Sequence, residues 1–83
     1  MNVYCSAHTR RRMRSPGVSE ADVEQALISF HTSYPAERLP NDRVGATVSV
    51  GTIAGRQLKV YVQNGSDPPL VRMVRTVAWR DEP

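Results

Sequence analysis

The chain is poor in cysteine, lysine and large aromatics: one Cys, one Lys, one Trp and one Phe among 83 residues. A lone Cys5 excludes an intrachain disulfide, and no Cys/His cluster has the spacing of zinc ligands, so no metal or cofactor is expected. Cys5 itself reads as a small buried hydrophobe, and reducing cytoplasm is its natural compartment. No apolar run approaches the length that spans a bilayer and no secretory h-region stands at the start, so no membrane partner is expected. No catalytic motif is complete. Cys5 and His8 are near neighbours, but a hydrolase would also need an oxyanion site and an orienting acid. Acids are missing from the first nineteen residues, where arginine and serine are frequent. A mitochondrial transit peptide has the same composition, yet Val3-Tyr4-Cys5 and Met13 give this segment a place in a core. There are no repeats and no low-complexity tracts.

What is present describes one small domain over residues 1–83. Hydrophobic content of 40% and charged content of 23% suit a folded chain. A domain of this size hides only about 60% of its unfolded surface, so a site must share residues with the edge of the core. The formal net charge is +3, and ten of the eleven basic residues are arginine. Arginine favours planar, bidentate contact with phosphate or carboxylate.

The densest basic stretch runs from Ser6 to Val18. Ser6 is a helix N-cap, the helix spans residues 7–14, and Ser15-Pro16-Gly17 stops it. His8 and Arg12 stand at i and i+4 on one face with Arg11 beside them, while Ala7, Thr9 and Met13 are candidates for its buried side. Ser19-Glu20-Ala21-Asp22 then opens a second helix with a capping box, stapled by Val18 and Val23. Ala26, Leu27 and Phe30 continue its apolar face to about Phe30 or His31, where a histidine suits the helix dipole. Its acids Glu20, Asp22 and Glu24 are possible partners for the arginines of the first helix.

Residues 32–43 hold two prolines and no periodicity, and read as a loop. From Val44 the period becomes two: Val44, Ala46, Val48 and Val50 alternate with small polar residues, which predicts a strand with one buried face. Ala54-Gly55-Arg56 is a turn. Leu58, Val60 and Val62 alternate with Lys59, Tyr61 and Gln63 in the next strand. Residues 64–69 form a loop before a last strand from Leu70 to Trp79, and residues 81–83 are a tail. In that last strand Arg72 and Arg75 fall on opposite faces unless a bulge intervenes. The expected fold is α+β, two short N-terminal helices packed on a three- to four-stranded antiparallel sheet. The other face would show Lys59, Tyr61 and one of the two arginines.

Three stretches together carry a family resemblance. Ser6-x-His8-x-x-x-Arg12-Met13-x-x-x-Gly17-Val18-Ser19-x-x-Asp22-Val23 resembles the opening of the domain-of-unknown-function 4258 family, with its His-x-x-x-Arg-Met helix and Gly-Ile-Ser cap. Gly55-Arg56-Gln57-Leu58-Lys59-Val60 is similar to its Gly-Arg-x-Leu-Arg-Val strand, and Arg75-Thr76-Val77-Ala78-Trp79 to its final Thr-Val-Tyr strand. Pro16 stands where that family often has a basic residue, and the loop between Tyr34 and Arg43 has no counterpart. The resemblance implies a fold related to the RelE, ParE and BrnT-like toxins, many of which lie beside an antitoxin or in mobile elements. RelE-like members cut ribosome-bound messenger RNA without metal, whereas ParE-like members poison gyrase.

Two readings compete at each candidate residue. His8 is an acid–base group for RNA cleavage or a structural histidine. Arg12 and Arg11 bind a phosphate or pair with the acids of the second helix. Arg56, Lys59 and Arg75 are phosphate contacts that position a nucleic acid, or surface residues. Tyr61 and Trp79 stack bases or cover the core. Thr76 turns a hydroxyl into the cleft or is an ordinary strand residue. The expected function is a toxin-like protein that binds RNA or the ribosome, with metal-free cleavage by His8 and Arg12 as a candidate activity and an antitoxin as partner. The alternative is a non-enzymatic phage or mobile-element module that inhibits a host protein.

Overall fold

The computed structural model describes residues 3–65 and 72–80. Along the chain come β1 (Val3–Cys5), α1 (Ala7–Arg14), α2 (Glu20–Ile28), β2 (Thr32–Pro35), β3 (Ala46–Ile53), β4 (Arg56–Gln63) and β5 (Arg72–Trp79). The fold is α+β, but the sheet differs from the antiparallel one expected. It has five strands in the order β1-β5-β4-β3-β2, with β1 parallel to β5 and the other pairs antiparallel. The extra strand β2 lies inside the stretch read as a loop. Its pairing starts where the His31 N–H donates to the Val50 carbonyl at 3.0 Å. Edge strands tolerate Pro35, because one side of their backbone needs no partner. All four residues of β2 are exposed, so no alternation marks it. Most of the loop at residues 64–69, the start of the last strand at Leu70 and the tail at 81–83 lie outside the described residues.

Both helices begin as their caps require. The Ser6 hydroxyl accepts the Thr9 N–H at 3.2 Å, and Ser19 and Asp22 exchange side-chain-to-backbone bonds of 3.1 Å each in a capping box. Val18 and Val23 are both buried, as a hydrophobic staple demands. α2 stops at Ile28, earlier than its apolar spacing suggested, because Ser29 leaves the helix and its hydroxyl bonds back to the Gln25 carbonyl at 2.8 Å. Phe30 is consequently exposed and His31 belongs to the approach to β2. On α1 the buried residues are Thr9 and Met13, while Ala7 is exposed.

The turn between β3 and β4 governs which side chains meet. Ala54 and Gly55 take φ of 49° and 81°, the two positive values that a tight hairpin needs to match the twist of its strands. Ile53 thereby stands opposite Arg56, and counting back sets Gly51 opposite Leu58, Ser49 opposite Val60 and Thr47 opposite Val62. Directly paired residues share a face. Leu58, Val60 and Val62 therefore point toward α2 together with Gly51, Ser49 and Thr47, while Ala46, Val48 and Val50 point the other way. That corrects the single buried face expected of β3. Its valines are buried on the far side of the sheet, Val48 between Tyr34 and Tyr61 and Val50 between Thr32 and Lys59. Val44, counted with them from the alternation, precedes β3 and is exposed. The main core joins Met13, Val23 and Leu27 of the helices to Leu58, Val60, Val74 and Trp79 of the sheet.

In β5 the strand is bulged. Tyr61 pairs with Thr76 and Val62 with Val74, so Arg75 is an additional residue with no counterpart on β4. The bulge explains why Val74, Val77 and Trp79 are all buried despite their unequal spacing. It also disturbs the ladder around the carbonyls of Val74 and Arg75. The buried Thr9 hydroxyl meets both, at 3.0 and 3.2 Å, and so fixes α1 to the bulge. At the other end of α1 the Trp79 indole N–H donates to the Pro16 carbonyl at 2.9 Å. Thr9→Val keeps the shape and removes the donor. It should destabilise the protein by about 1–3 kcal/mol, the cost of buried carbonyls left without a partner. Urea unfolding measures this, and a loss below about 0.5 kcal/mol would mean that other donors serve those carbonyls.

No described helix is long and apolar enough to cross a membrane.

Candidate functional site

The bulge also builds a site. In a regular strand Arg75 and Thr76 would point to opposite faces; an inserted residue re-aims a side chain, and here both line one cleft with Tyr61. This cleft, of about 420 Å³, lies on the sheet face away from α2 and is also lined by Arg12, Tyr34 and Val48. A second hollow of about 410 Å³ adjoins it, lined by His8, Tyr4, Gln63 and Met73. Arg12 and Arg75 line both, so the two guanidinium groups stand where the hollows meet. α1 delivers His8 and Arg12 there because they are one turn apart on its exposed side, beside the buried Thr9 and Met13.

Residues 36–45 form a strap over the cleft. The Ala36 N–H bonds to the Ala46 carbonyl at 3.0 Å, closing the strap beside β3. At its far end Asn64 holds the carbonyls of Val44 and Gly45, each at 3.1 Å. Between these anchors the Asp42 carboxylate meets Arg75 in a two-pronged ion pair, with Nη1–Oδ2 at 2.7 Å and Nη2–Oδ1 at 3.3 Å. Asp42 Oδ1 further accepts the N–H groups of Gly45 and Val44 at 3.0 and 3.2 Å. The Arg75 bonds first, and then these backbone donors, hold the Asp42 carboxyl far below the usual carboxylate range. Reciprocally, Asp42 raises the pKa of Arg75. Because the carboxyl pKa is depressed in the folded state, its stabilising contribution is complete above the ordinary carboxylate range and fades only as pH falls below it.

Five of the residues expected at a site are therefore gathered: His8, Arg12, Tyr61, Arg75 and Thr76. Among the described residues His8 and Arg12 have no hydrogen-bond or ion-pair partner. The expected pairing of helix α2 acids with α1 arginines occurs at Arg10, whose Nε lies 2.6 Å from Glu20 Oε1. Both partners are exposed, so this pair is worth about 0–1 kcal/mol. Asp42 occupies the fork of Arg75, the residue expected to contact a phosphate. Arg11 is exposed on α1 and lies outside both hollows. Lys59 shares the face of Tyr61 two residues away, also outside them. Arg56 is elsewhere, its guanidinium 4.1 Å over the ring of Trp79 at the hairpin end. Trp79 belongs to the core and is no base-stacking platform.

Sequence reasoning missed Asp42, Glu37 and Tyr34. An Asn-Asp pair in a polar loop signals a side-chain-capped turn, but no local pattern tells that such a turn will reach a strand thirty-three positions onward. Cys5 is buried, and burial first, then the charge of Glu20, pushes its thiol pKa up, which fits packing rather than reactivity. Among the described residues no three His, Cys, Asp or Glu side chains are grouped to hold a metal ion. No protein-family model matches this chain, and no curated protein or solved structure matches it significantly.

Proposed function

We propose that the joined hollows bind single-stranded RNA, with a phosphate on Arg12 and a base against Tyr61, in the manner of a RelE-like toxin acting in the cytoplasm. The supporting observation is the position of Arg12, which has no acid partner among the described residues and lies between His8 in one hollow and Tyr61 and Thr76 in the other. A guanidinium is the cation best matched to a phosphodiester. A tyrosine half-open beside it offers a stacking surface that any base can use.

Cleavage in such a site needs no metal. His8 would take the proton from a ribose 2′-hydroxyl, whose oxygen attacks the adjacent phosphorus, and Arg12 would stabilise the charge that develops on the phosphate oxygens. The 5′-oxygen leaves with a proton from solvent, and a cyclic phosphate remains. The resemblance to toxin families points the same way, with an antitoxin as the natural partner.

Fluorescence anisotropy with a single-stranded oligoribonucleotide over a series of salt concentrations tests the binding. Arg12→Ala should weaken affinity roughly tenfold, as loss of a charged hydrogen bond of about 1.5 kcal/mol or more does. It should also reduce the log–log salt slope by about 0.7, the value for one phosphate contact on a single strand. His8→Ala should leave binding nearly intact and abolish cleavage. In bacteria, growth arrest on induction should be relieved by either change. Binding that ignores salt would sink the RNA reading. Arrest that survives both substitutions would favour inhibition of a host protein instead, for which the exposed edge strand β2 is the feature of note.

A further inference from the structure

We propose that Asp42 is an internal stand-in for phosphate, holding Arg75 while the cleft is empty and yielding it to a phosphate of the incoming ligand, so that the strap gates the site. The inference rests on the reading that the cleft takes a phosphodiester, and concerns how that site is regulated.

Three observations carry it. The first is geometric. Asp42 engages Arg75 through both terminal guanidinium nitrogens, at 2.7 and 3.3 Å, which is the planar two-point contact that a phosphate makes with the same group. The second is electrostatic. Arg12 and Arg75 bring two positive charges to the cleft, and the strap brings Asp42 and Glu37 to line it. At rest these four formal charges cancel, so the cleft draws a polyanion less strongly than it does with the strap lifted. Lifting the strap removes both acids together and leaves two arginines facing the ligand.

The third observation is how the strap is held. Its ends are anchored at Ala46 and Asn64, and its turn is self-supporting. The Asp42 N–H bonds to the Leu39 carbonyl at 3.0 Å, and Oδ1 caps Val44 and Gly45. Arg38 closes the same turn on the carbonyl of Arg43. Among the described residues, the Asp42–Arg75 pair is the one hydrogen-bonded tie from the middle of the strap to the sheet. A ligand phosphate that competes for Arg75 therefore breaks a single contact and leaves the turn formed, with Asp42 presented for return. That is the behaviour of a gate.

Asp42→Asn separates the two roles of this side chain. Asparagine keeps an oxygen for the N–H groups of Val44 and Gly45 and loses the charge that holds Arg75. Inorganic pyrophosphate is the first probe, followed by NMR of the Arg75 side-chain Nε–Hε group. The variant should bind pyrophosphate about 5-fold tighter or more, the lower range of coupling between linked sites. Adding Arg75→Ala should cancel the gain. Toward single-stranded RNA the variant should likewise bind tighter, with the log–log salt slope unchanged because Arg75 meets a phosphate in both proteins. Unchanged or weaker pyrophosphate binding by Asp42→Asn would overturn the proposal. The wild type supplies a check that does not depend on the variant folding: pyrophosphate should shift the Arg75 Nε–Hε signal, and a signal that stays fixed at saturation overturns the gate. If pyrophosphate behaves as expected while RNA binds neither protein, the RNA reading is lost and the gate stands.

Discussion

Gly51→Ala should lower the melting temperature by roughly 12–24 °C, because a domain of this size loses about 4–8 °C per kcal/mol. A methyl group at Gly51 would run into the backbone of α2, against the Ala26 carbonyl oxygen and, at 2.6 Å, its Cα. Both approaches are far inside contact, and neither partner is a flexible side chain that can turn away. Either α2 moves off the sheet by about an ångström or β3 shifts, and overpacking of this kind costs about 3 kcal/mol, at the upper end of its range. The pairing of Gly51 with Leu58 and the burial of Ala26 show what the absent side chain permits: helix backbone lying directly on strand backbone. Ala26→Gly should not rescue the variant, since the clash is with main-chain atoms. Thermal unfolding of both proteins by circular dichroism measures the effect. A melting temperature within two or three degrees of the wild type would mean that α2 is less tightly seated than described.

Trp79→Ala should be comparably severe, at about 3–5 kcal/mol, the usual cost of removing a large buried aromatic. Against a total stability of about 0.05–0.15 kcal/mol per residue, or about 4–12 kcal/mol for 83 residues, that removes a quarter of the margin or more. Trp79 is 7% exposed. It fills the core opposite Leu58, ties the end of α1 through Pro16, and carries the guanidinium of Arg56 on its ring. Trp79→Phe separates these contributions. It keeps most of the apolar volume and loses the N–H that serves the Pro16 carbonyl, so a smaller loss of about 1–2 kcal/mol is expected. Because Pro16 follows the helix that carries His8 and Arg12, the phenylalanine variant should also weaken RNA binding while remaining folded. Urea unfolding beside anisotropy tests this, and an alanine variant costing under about 2 kcal/mol would remove Trp79 from the core.

Local chemistry settled much of this protein from sequence. Ser6 and Ser19 begin the two helices, Pro-Gly ends the first, and the period-two runs around Val48 and Val60 become strands, because caps, breakers and alternation act over a few neighbouring residues. The same reasoning set His8 and Arg12 on one helix face. Three things were left to the tertiary structure. The register imposed by Ala54 and Gly55 decided that the valines of β3 face away from the helices, since alternation states that a face exists and not which one. The bulge at Arg75 decided that two adjacent residues share a cleft, because its carbonyls are met by Thr9 from the other end of the chain. The strap decided that Arg75 is held by Asp42, a contact across thirty-three positions that no local pattern encodes. Helix ends and strand periods follow from nearest neighbours along the chain. The charge balance of the cleft follows from neighbours in space, and only folding brings those together.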